Sequence, residues 1–362
     1  GFPSIVGGAP RELETTNTVL DSKFIMPLGN HMTTLGLQWW DAELDDGLAG
    51  ETFAQTTWSL FAEDEWMLRD DLALTLGGRY DHHDAFGSQF SPRGYLVWNT
   101  TPNWTLKGGV SRGYKTPTLN DLHDGINGVT GQGTVLTIGN PDLEPETSTS
   151  SEIGAHYDNQ QGFTASATLF HNQFDDKIAS GSDILVENDP LIPDGLYSQD
   201  INIDEAITQG VEFSTSYQFA PDWRVNANYT YTDSEQKSGD NEGEPLTDTP
   251  EHAINATLRW QATAKLDTWL SAEYRSERYR NRESVRGAPS FDDLGDFKAY
   301  SLFHLGGNYA FTDHLNLSAT IYNLFDKDFV DYRAYGDGSS FGNVYANSEE
   351  GRRLWLSARY EF

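Results

Sequence analysis

Residues 273–287 read EYRSERYRNRESVRG and set Arg275, Arg278, Arg280, Arg282 and Arg286 among Tyr274 and Tyr279. A guanidinium offers a rigid planar fork of donors to anionic oxygens and stacks on aromatic planes. Arginines mixed with phenols suit an anion that itself carries aromatic rings. The density stands out because the chain has 24 Lys+Arg against 55 Asp+Glu and a formal net charge of -31. Glu273, Glu277 and Glu283 share the segment, so neutralisation of the arginines by these carboxylates is the competing expectation.

Other residues have chemical potential with weaker patterns. His82 and His83 sit in YDHHDAF between Asp81 and Asp84, a setting for a metal or a proton relay; the plainer expectation is a solvated strand end. The acidic runs DAELDDGLAGE (41–51) and SDILVENDPLIPDG (182–195) have oxygen ligands for Ca²⁺ but not the EF-hand spacing. They read as solvated acidic loops. Cysteine is absent, which removes disulfides, thiolate metal sites and cysteine nucleophiles together. No catalytic arrangement, resident cofactor or metal set emerges, and the acidity argues against a nucleic-acid partner.

The elements that must position these residues are strands. The chain ends EEGRRLWLSARYEF, in which Leu354, Leu356, Ala358, Tyr360 and Phe362 alternate with Arg353, Trp355, Ser357, Arg359 and Glu361. Period two gives one apolar and one polar face. The same alternation runs through Val211, Phe213, Thr215, Tyr217 and Phe219, and through Trp223, Val225, Ala227, Tyr229 and Tyr231. About fifteen such segments are expected, most of them about 10–14 residues long, against ~5–6 for a globular strand. Short links (PLGN, LRDD, TTPN, NQQG, APD, ATAK, TD) alternate with longer ones near 44–53, 83–89, 115–147, 175–200, 233–249, 279–297 and 327–350.

Long strands with short turns at one end and long loops at the other describe a transmembrane antiparallel β-barrel of the bacterial outer-membrane type. The fold class is all-β. A soluble sandwich would leave rows of Arg, Asn, Glu and Thr facing a dry core; a wet or filled lumen satisfies them. Aromatics near segment ends, including Trp104, Phe219, Trp223, Tyr309, Phe311 and Phe362, fit an interfacial girdle. An odd strand count cannot close an antiparallel barrel, so either further strands lie upstream, the stronger expectation, or the count is one short near residues 1–12. Lys107, Arg224 and Arg275 fall on the lumen face by parity, lining a path or holding a plug, with plug contact the stronger expectation.

Three stretches resemble TonB-dependent outer-membrane receptors: SRGYKTPTLNDL (111–122), GNPDLEPETSTSSEIG (139–154), and IYNLFDKDF together with the terminal strand. GYKTPTLNDLHDGINGVTGQG and TDSEQKSGDNEGEPLTDTPEHAINATLRWQ are similar to the branch that includes the colicin I receptor, which imports ferric catecholate siderophores. The resemblance implies a barrel of about twenty-two strands around an N-terminal plug that engages TonB. Residues 1–362 then correspond to the C-terminal portion of the barrel, with the plug and first strands outside it. It also implies a transporter rather than an enzyme. The implied partners are a ferric catecholate, the TonB complex through the plug, outer-membrane lipid and lipopolysaccharide, and colicins or phage that exploit such loops. Arg275, Arg278, Tyr279, Arg280, Arg282 and Arg286 become the expected ligand residues, since a ferric catecholate is an anion of aromatic rings. Haem receptors of this superfamily place a haem-ligating His where His123 stands, but Tyr114-Lys115-Thr116-Pro117 departs from the haem pattern. Other cargo (haem, cobalamin, an oligosaccharide) and a non-transport barrel, enzyme or adhesin, are the alternatives.

Overall fold

The computed structural model describes residues 13–46, 51–122, 125–130, 135–181, 184–188, 194–238, 241–280, 291–336, 338–346 and 349–361. In chain order the strands are β1 (Leu13–Leu28), β2 (His31–Asp46), β3 (Glu51–Arg69), β4 (Leu72–His83), β5 (Gly87–Thr101), β6 (Trp104–Lys115), β7 (Ile126–Thr130), β8 (Val135–Ile138), β9 (Glu146–Asp158) and β10 (Phe163–Ser180). They continue as β11 (Ile184–Val186), β12 (Gly195–Ala220), β13 (Trp223–Gln236), β14 (His252–Thr263), β15 (Leu266–Arg275), β16 (Tyr300–Ala310), β17 (Leu315–Tyr322), β18 (Tyr332–Tyr335), β19 (Ser340–Asn343) and β20 (Arg353–Tyr360). Among the described residues the sole helical element is a 3-10 turn at Phe291–Leu294, and no helix is long and apolar enough to cross a membrane.

Fifteen of these strands form one antiparallel meander: β1 to β6 in order, then β9, β10, β12 to β17 and β20. Within the described residues β1 and β20 are its edges, and as first and fifteenth they run the same way. The short strands decorate the long-loop end. The hairpin β7–β8 joins β12 in parallel at Ser198–Thr137, β11 pairs with β12, and β18–β19 form a separate hairpin.

Strand lengths differ from the sequence expectation at the long-loop end. β3 runs for 19 residues, β10 for 18 and β12 for 26. Of the described residues in the long loops expected near 44–53, 83–89 and 175–200, most are strand. Backbone pairing continues there past the last apolar side chain, as at Ser180–Asp200, because a ladder satisfies amide and carbonyl groups whether or not the side chains are apolar.

The two faces follow the alternation. On β20 Leu354, Leu356, Ala358 and Tyr360 lie opposite Ile321, Ala319, Leu317 and Leu315 of β17, forming one apolar sheet surface. Phe362 lies outside the described residues. Near the short turns an unbroken chain of ring contacts links Trp104, Tyr157, Phe163, Tyr217, Phe219, Trp223 and Trp260, ending in a stacked Trp223–Trp260 pair at 5.1 Å. Amphipathic rings in a belt belong where hydrocarbon meets head groups. Among the described residues, buried apolar clusters gather at the long-loop end, around Leu302, Phe329, Val344 and Tyr345 and around Ile138 and Tyr197.

On the polar face, four rings stand directly opposite glycines: Phe61 opposite Gly36, Tyr95 opposite Gly109, Phe170 opposite Gly210 and Trp269 opposite Gly306. A Cβ built on each glycine would come within 2.1–2.9 Å of the ring. The rings therefore lie across the neighbouring strand, the packing by which an aromatic covers a glycine in a sheet.

Candidate functional site

β15 places Asp267, Trp269, Ser271, Glu273 and Arg275 on the polar face. Arg275, at the strand end, is half-buried, 3.7 Å from Glu273 and donating to the Tyr274 carbonyl at 3.1 Å. The Tyr300 hydroxyl reaches the same Glu273 carboxylate at 3.3 Å. Beyond the strand the chain turns inward through isolated bridges of Arg278 with Pro250 and Phe297.

Arg278, Tyr279 and Arg280 are buried, at 7%, 8% and 7% exposure. Arg278 pairs with Asp248 at 3.1 Å, donates to the Lys298 carbonyl at 3.4 Å and lies over the Tyr300 ring. Tyr279 donates its hydroxyl to Asn241 Oδ1 at 3.4 Å, and its carbonyl accepts the Asp248 amide. Arg280 donates to the Asn343 carbonyl at 2.6 Å and stacks on Phe297 at 4.0 Å. Burial pulls the Arg280 pKa below its ordinary value, with Asp296 opposing the shift.

The sequence reading has these three side chains meeting an incoming anion. The structure turns them into the seam between loops. Arg278 and Tyr279 join the loop after β15 to the one after β13, and Arg280 joins it to the loop after β17. Glu273 does neutralise Arg275, but Arg278 takes Asp248 in place of a carboxylate of its own segment. Arg282, Arg286 and Glu283 lie outside the described residues. Close by, Asp331 accepts from Lys298 at 3.0 Å and from Arg333 at 3.3 Å, and these cations hold its carboxyl below the ordinary range.

These contacts predict a loop-specific lesion. Arg280→Lys keeps a charge but loses the planar stack and the aimed donor. Limited proteolysis should then cut within 291–345 several-fold faster, while global unfolding of the barrel is unchanged. Wild-type cleavage rates would show that Arg280 does not fasten these loops.

The resemblance motifs also act as fasteners. Asn140 caps its own turn by accepting from the Asp142 amide and donates to the Asp200 carbonyl at 2.9 Å. Asn202 returns the contact by donating to the Glu144 carbonyl and accepting from the Glu144 amide. Asn323 is 3% exposed with a left-handed φ of 47°. Its side chain donates to the Lys327 and Glu350 carbonyls and accepts from the Lys327 amide. One asparagine thus closes both ends of the loop between β17 and β20.

A polar cluster that sequence reasoning missed lies on the inner wall near the same rim. Arg79 donates to Asp81 Oδ1 at 2.8 Å and to Gln38 Oε1 and Ser59 Oγ, both at 2.7 Å. Tyr114, at the root of the loop after β6, lies within electrostatic reach of Asp81 and Arg79. Alternation marks these residues as inward but does not bring them together. His83 is buried at 2% exposure rather than solvated. Its Nδ1 accepts from the Ala85 and Phe86 amides, so the proton is on Nε2, which donates to Gln55 Oε1 at 3.2 Å. A neutral ring with both nitrogens engaged is a structural histidine. His82 faces the opposite way, against Trp58. His123 lies outside the described residues. Among the described residues no group of three or more His, Cys, Asp or Glu is placed to hold a metal ion.

Comparison with known proteins adds lineage to this geometry. Residues 8–324 match the family model described as "TonB dependent receptor-like, beta-barrel". The iron-regulated outer membrane virulence protein of Vibrio cholerae serotype O1 is 39% identical over 360 residues, a match covering 97% of this chain and 52% of that protein. The ferric enterobactin receptor of Pseudomonas aeruginosa is 32% identical over 378 residues, covering 92% and 49%. A crystal structure of a ferric enterobactin receptor mutant from Pseudomonas aeruginosa superposes with a TM-score of 0.79 at 27% identity, covering 97% of this chain and 54% of that one. The chain spans about half the length of the curated relatives it matches.

Proposed function

Since the chain belongs to the TonB-dependent receptor β-barrel family, we propose that it forms barrel wall and outer loops of an outer-membrane receptor for a ferric catecholate siderophore. It is a transporter part, not an enzyme. The long-loop end faces the outside and captures cargo, and a plug and further strands come from outside these 362 residues. TonB, engaging the plug, supplies the work of release. The observation that carries this reading is the 32% identity to a ferric enterobactin receptor across 92% of the chain. The fit of a basic, phenolic rim segment to an anion of catechol rings supports it.

Within that segment, we assign Arg275, Arg282 and Arg286 to the ligand, and the buried Arg278, Tyr279 and Arg280 to fastening the outer loops. Replacing Arg275, Arg282 and Arg286 together by Gln is expected to weaken binding of ferric enterobactin to the intact receptor by about 1–3 kcal/mol, the scale of lost charged hydrogen bonds. Equilibrium binding of iron-55 complexes measures it, with heat-modifiable gel mobility as the folding control. Unchanged affinity would remove the segment from the site. Failure of the wild-type receptor to bind any ferric catecholate would reject the cargo class.

A further inference from the structure

The lipid-facing surface carries an ionisable pair where a hydrocarbon neighbour calls for apolar side chains. Asp64 of β3 stands opposite Thr33 of β2 and Leu76 of β4, on the same face as Leu60, Ala62 and Trp66. Trp66 lies near the short turn between β3 and β4. On other strands the residue two places in from such a ring is apolar: Leu106 from Trp104, Ala155 from Tyr157, Val225 from Trp223 and Leu258 from Trp260. Two places in from Trp66 it is a carboxylate. This surface points away from the lumen, so a plug leaves it open. Strand β1 separates it from the edge at which upstream strands would pair.

The carboxylate is held rather than loose. Asp64 Oδ2 accepts from His31 Nδ1 at 2.7 Å, and Oδ1 accepts from Thr33 Oγ1 at 2.7 Å. A carboxylate only accepts, so Nδ1 carries the proton. His31 lies opposite Trp66 and stacks on its indole, with ring centroids 5.3 Å apart and planes 20° apart. Met26 and Leu28 of β1 flank the pair on one side, opposite Thr33 and His31, and Leu74 and Leu76 of β4 flank it on the other. The His31 and Asp64 side chains remain 36% and 34% exposed. Each carboxylate oxygen keeps a second lone pair, and Nε2 has no hydrogen-bond partner among the described residues. Ionisable groups within a membrane are expensive to keep and mark functional sites by default.

We propose that His31, Asp64 and Thr33, braced by Trp66, form a headgroup site for a phospholipid bearing a primary ammonium. Asp64 takes the ammonium, and Nε2 of a protonated His31 takes the phosphate. An imidazolium beside a carboxylate is a zwitterion, and it meets a zwitterionic headgroup with the charges crossed. The chemistry selects among lipids. A choline headgroup has no N–H to give the carboxylate, and a glycerol headgroup has no cation for it. The apolar residues on either side receive the acyl chains. The proposal rests on the outer-membrane placement of the strands and not on the cargo.

The test uses the intact receptor purified in detergent, with native mass spectrometry reading bound lipid. The probes are phosphatidylethanolamine, its N-methyl and N,N-dimethyl forms and phosphatidylcholine, all with the same acyl chains. Wild type should retain phosphatidylethanolamine about tenfold better than phosphatidylcholine, the factor for ~1.4 kcal/mol, with the methylated forms stepping down between them. Asp64→Asn keeps the size and removes the charge, and it should bring the ratio to within about twofold of one while heat-modifiable gel mobility stays normal. The methylation series needs wild type alone, so it decides the matter even if the variant fails to assemble. A flat series overturns the site. So does a preference that survives in Asp64→Asn, because the lipid would then be held elsewhere on the barrel.

Discussion

Arginine in place of Leu356 is expected to destabilise the intact barrel in a bilayer by about 2–4 kcal/mol, the cost of a basic side chain near the membrane midplane. Leu356 sits in the middle of β20, opposite Ala319, with its neighbours Leu354 and Ala358 on the same apolar surface. It is 69% exposed in the chain, and the solvent for that exposure is hydrocarbon. Arginine at Ser357 should cost far less, since Ser357 lies opposite Ser318 on the polar face. Denaturant midpoints of the two variants in the same lipid measure the difference. Equal losses would contradict the assigned facing.

Asn323→Ala should be the most damaging single change in the outer loops. It strands the Lys327 amide and the Lys327 and Glu350 carbonyls in a position 3% exposed. It also puts a Cβ-bearing residue without a polar tip in a left-handed conformation. A loss on the order of 3 kcal/mol follows from leaving these three groups unpaired. Asn323→Gly removes the same hydrogen bonds but relaxes the φ, so the gap between the two variants isolates the backbone cost. The readout is hydrogen exchange at 324–346. Protection equal to wild type in both variants would show that the loop is held elsewhere.

How much of this was legible in the sequence depends on the range of the interaction. Val211 to Phe219 and Trp223 to Tyr231 announce their faces because alternation is local, and fifteen meander strands stand where about fifteen segments were expected. Strand ends were less legible. Glu205 and Asp175 pair as well as Val211 and Leu169 do, yet carry no apolar signal. The rim was least legible. Arg278 was visible as an arginine, but Asp248 lies 30 residues before it, and Asn343 lies 63 residues after Arg280. Arg278 and Arg280 look like any other arginine of the run in sequence, and only packing shows them to be buried clasps. Phe61 shows the same limit. It sits between Leu60 and Ala62, on the face expected to be polar, and it is accommodated because Gly36 stands opposite it.

Those four rings on their glycines set the gauge of the bore. A ring lying flat thickens the wall by roughly one van der Waals layer, ~3.5 Å, whereas an upright ring would jut by its full length. Phe61, Tyr95, Phe170 and Trp269 are distributed around the meander on β3, β5, β10 and β15, so clearance is gained along much of the circumference. The aromatic surface stays close to the sheet. Glycine at positions 36, 109, 210 and 306 is in this sense a choice of calibre. A methyl group at 36 or 306 would push a ring away from the sheet, whereas at 109 and 210 it would also meet the carbonyl oxygens of Gly94 and Tyr231, so there the backbone itself demands glycine.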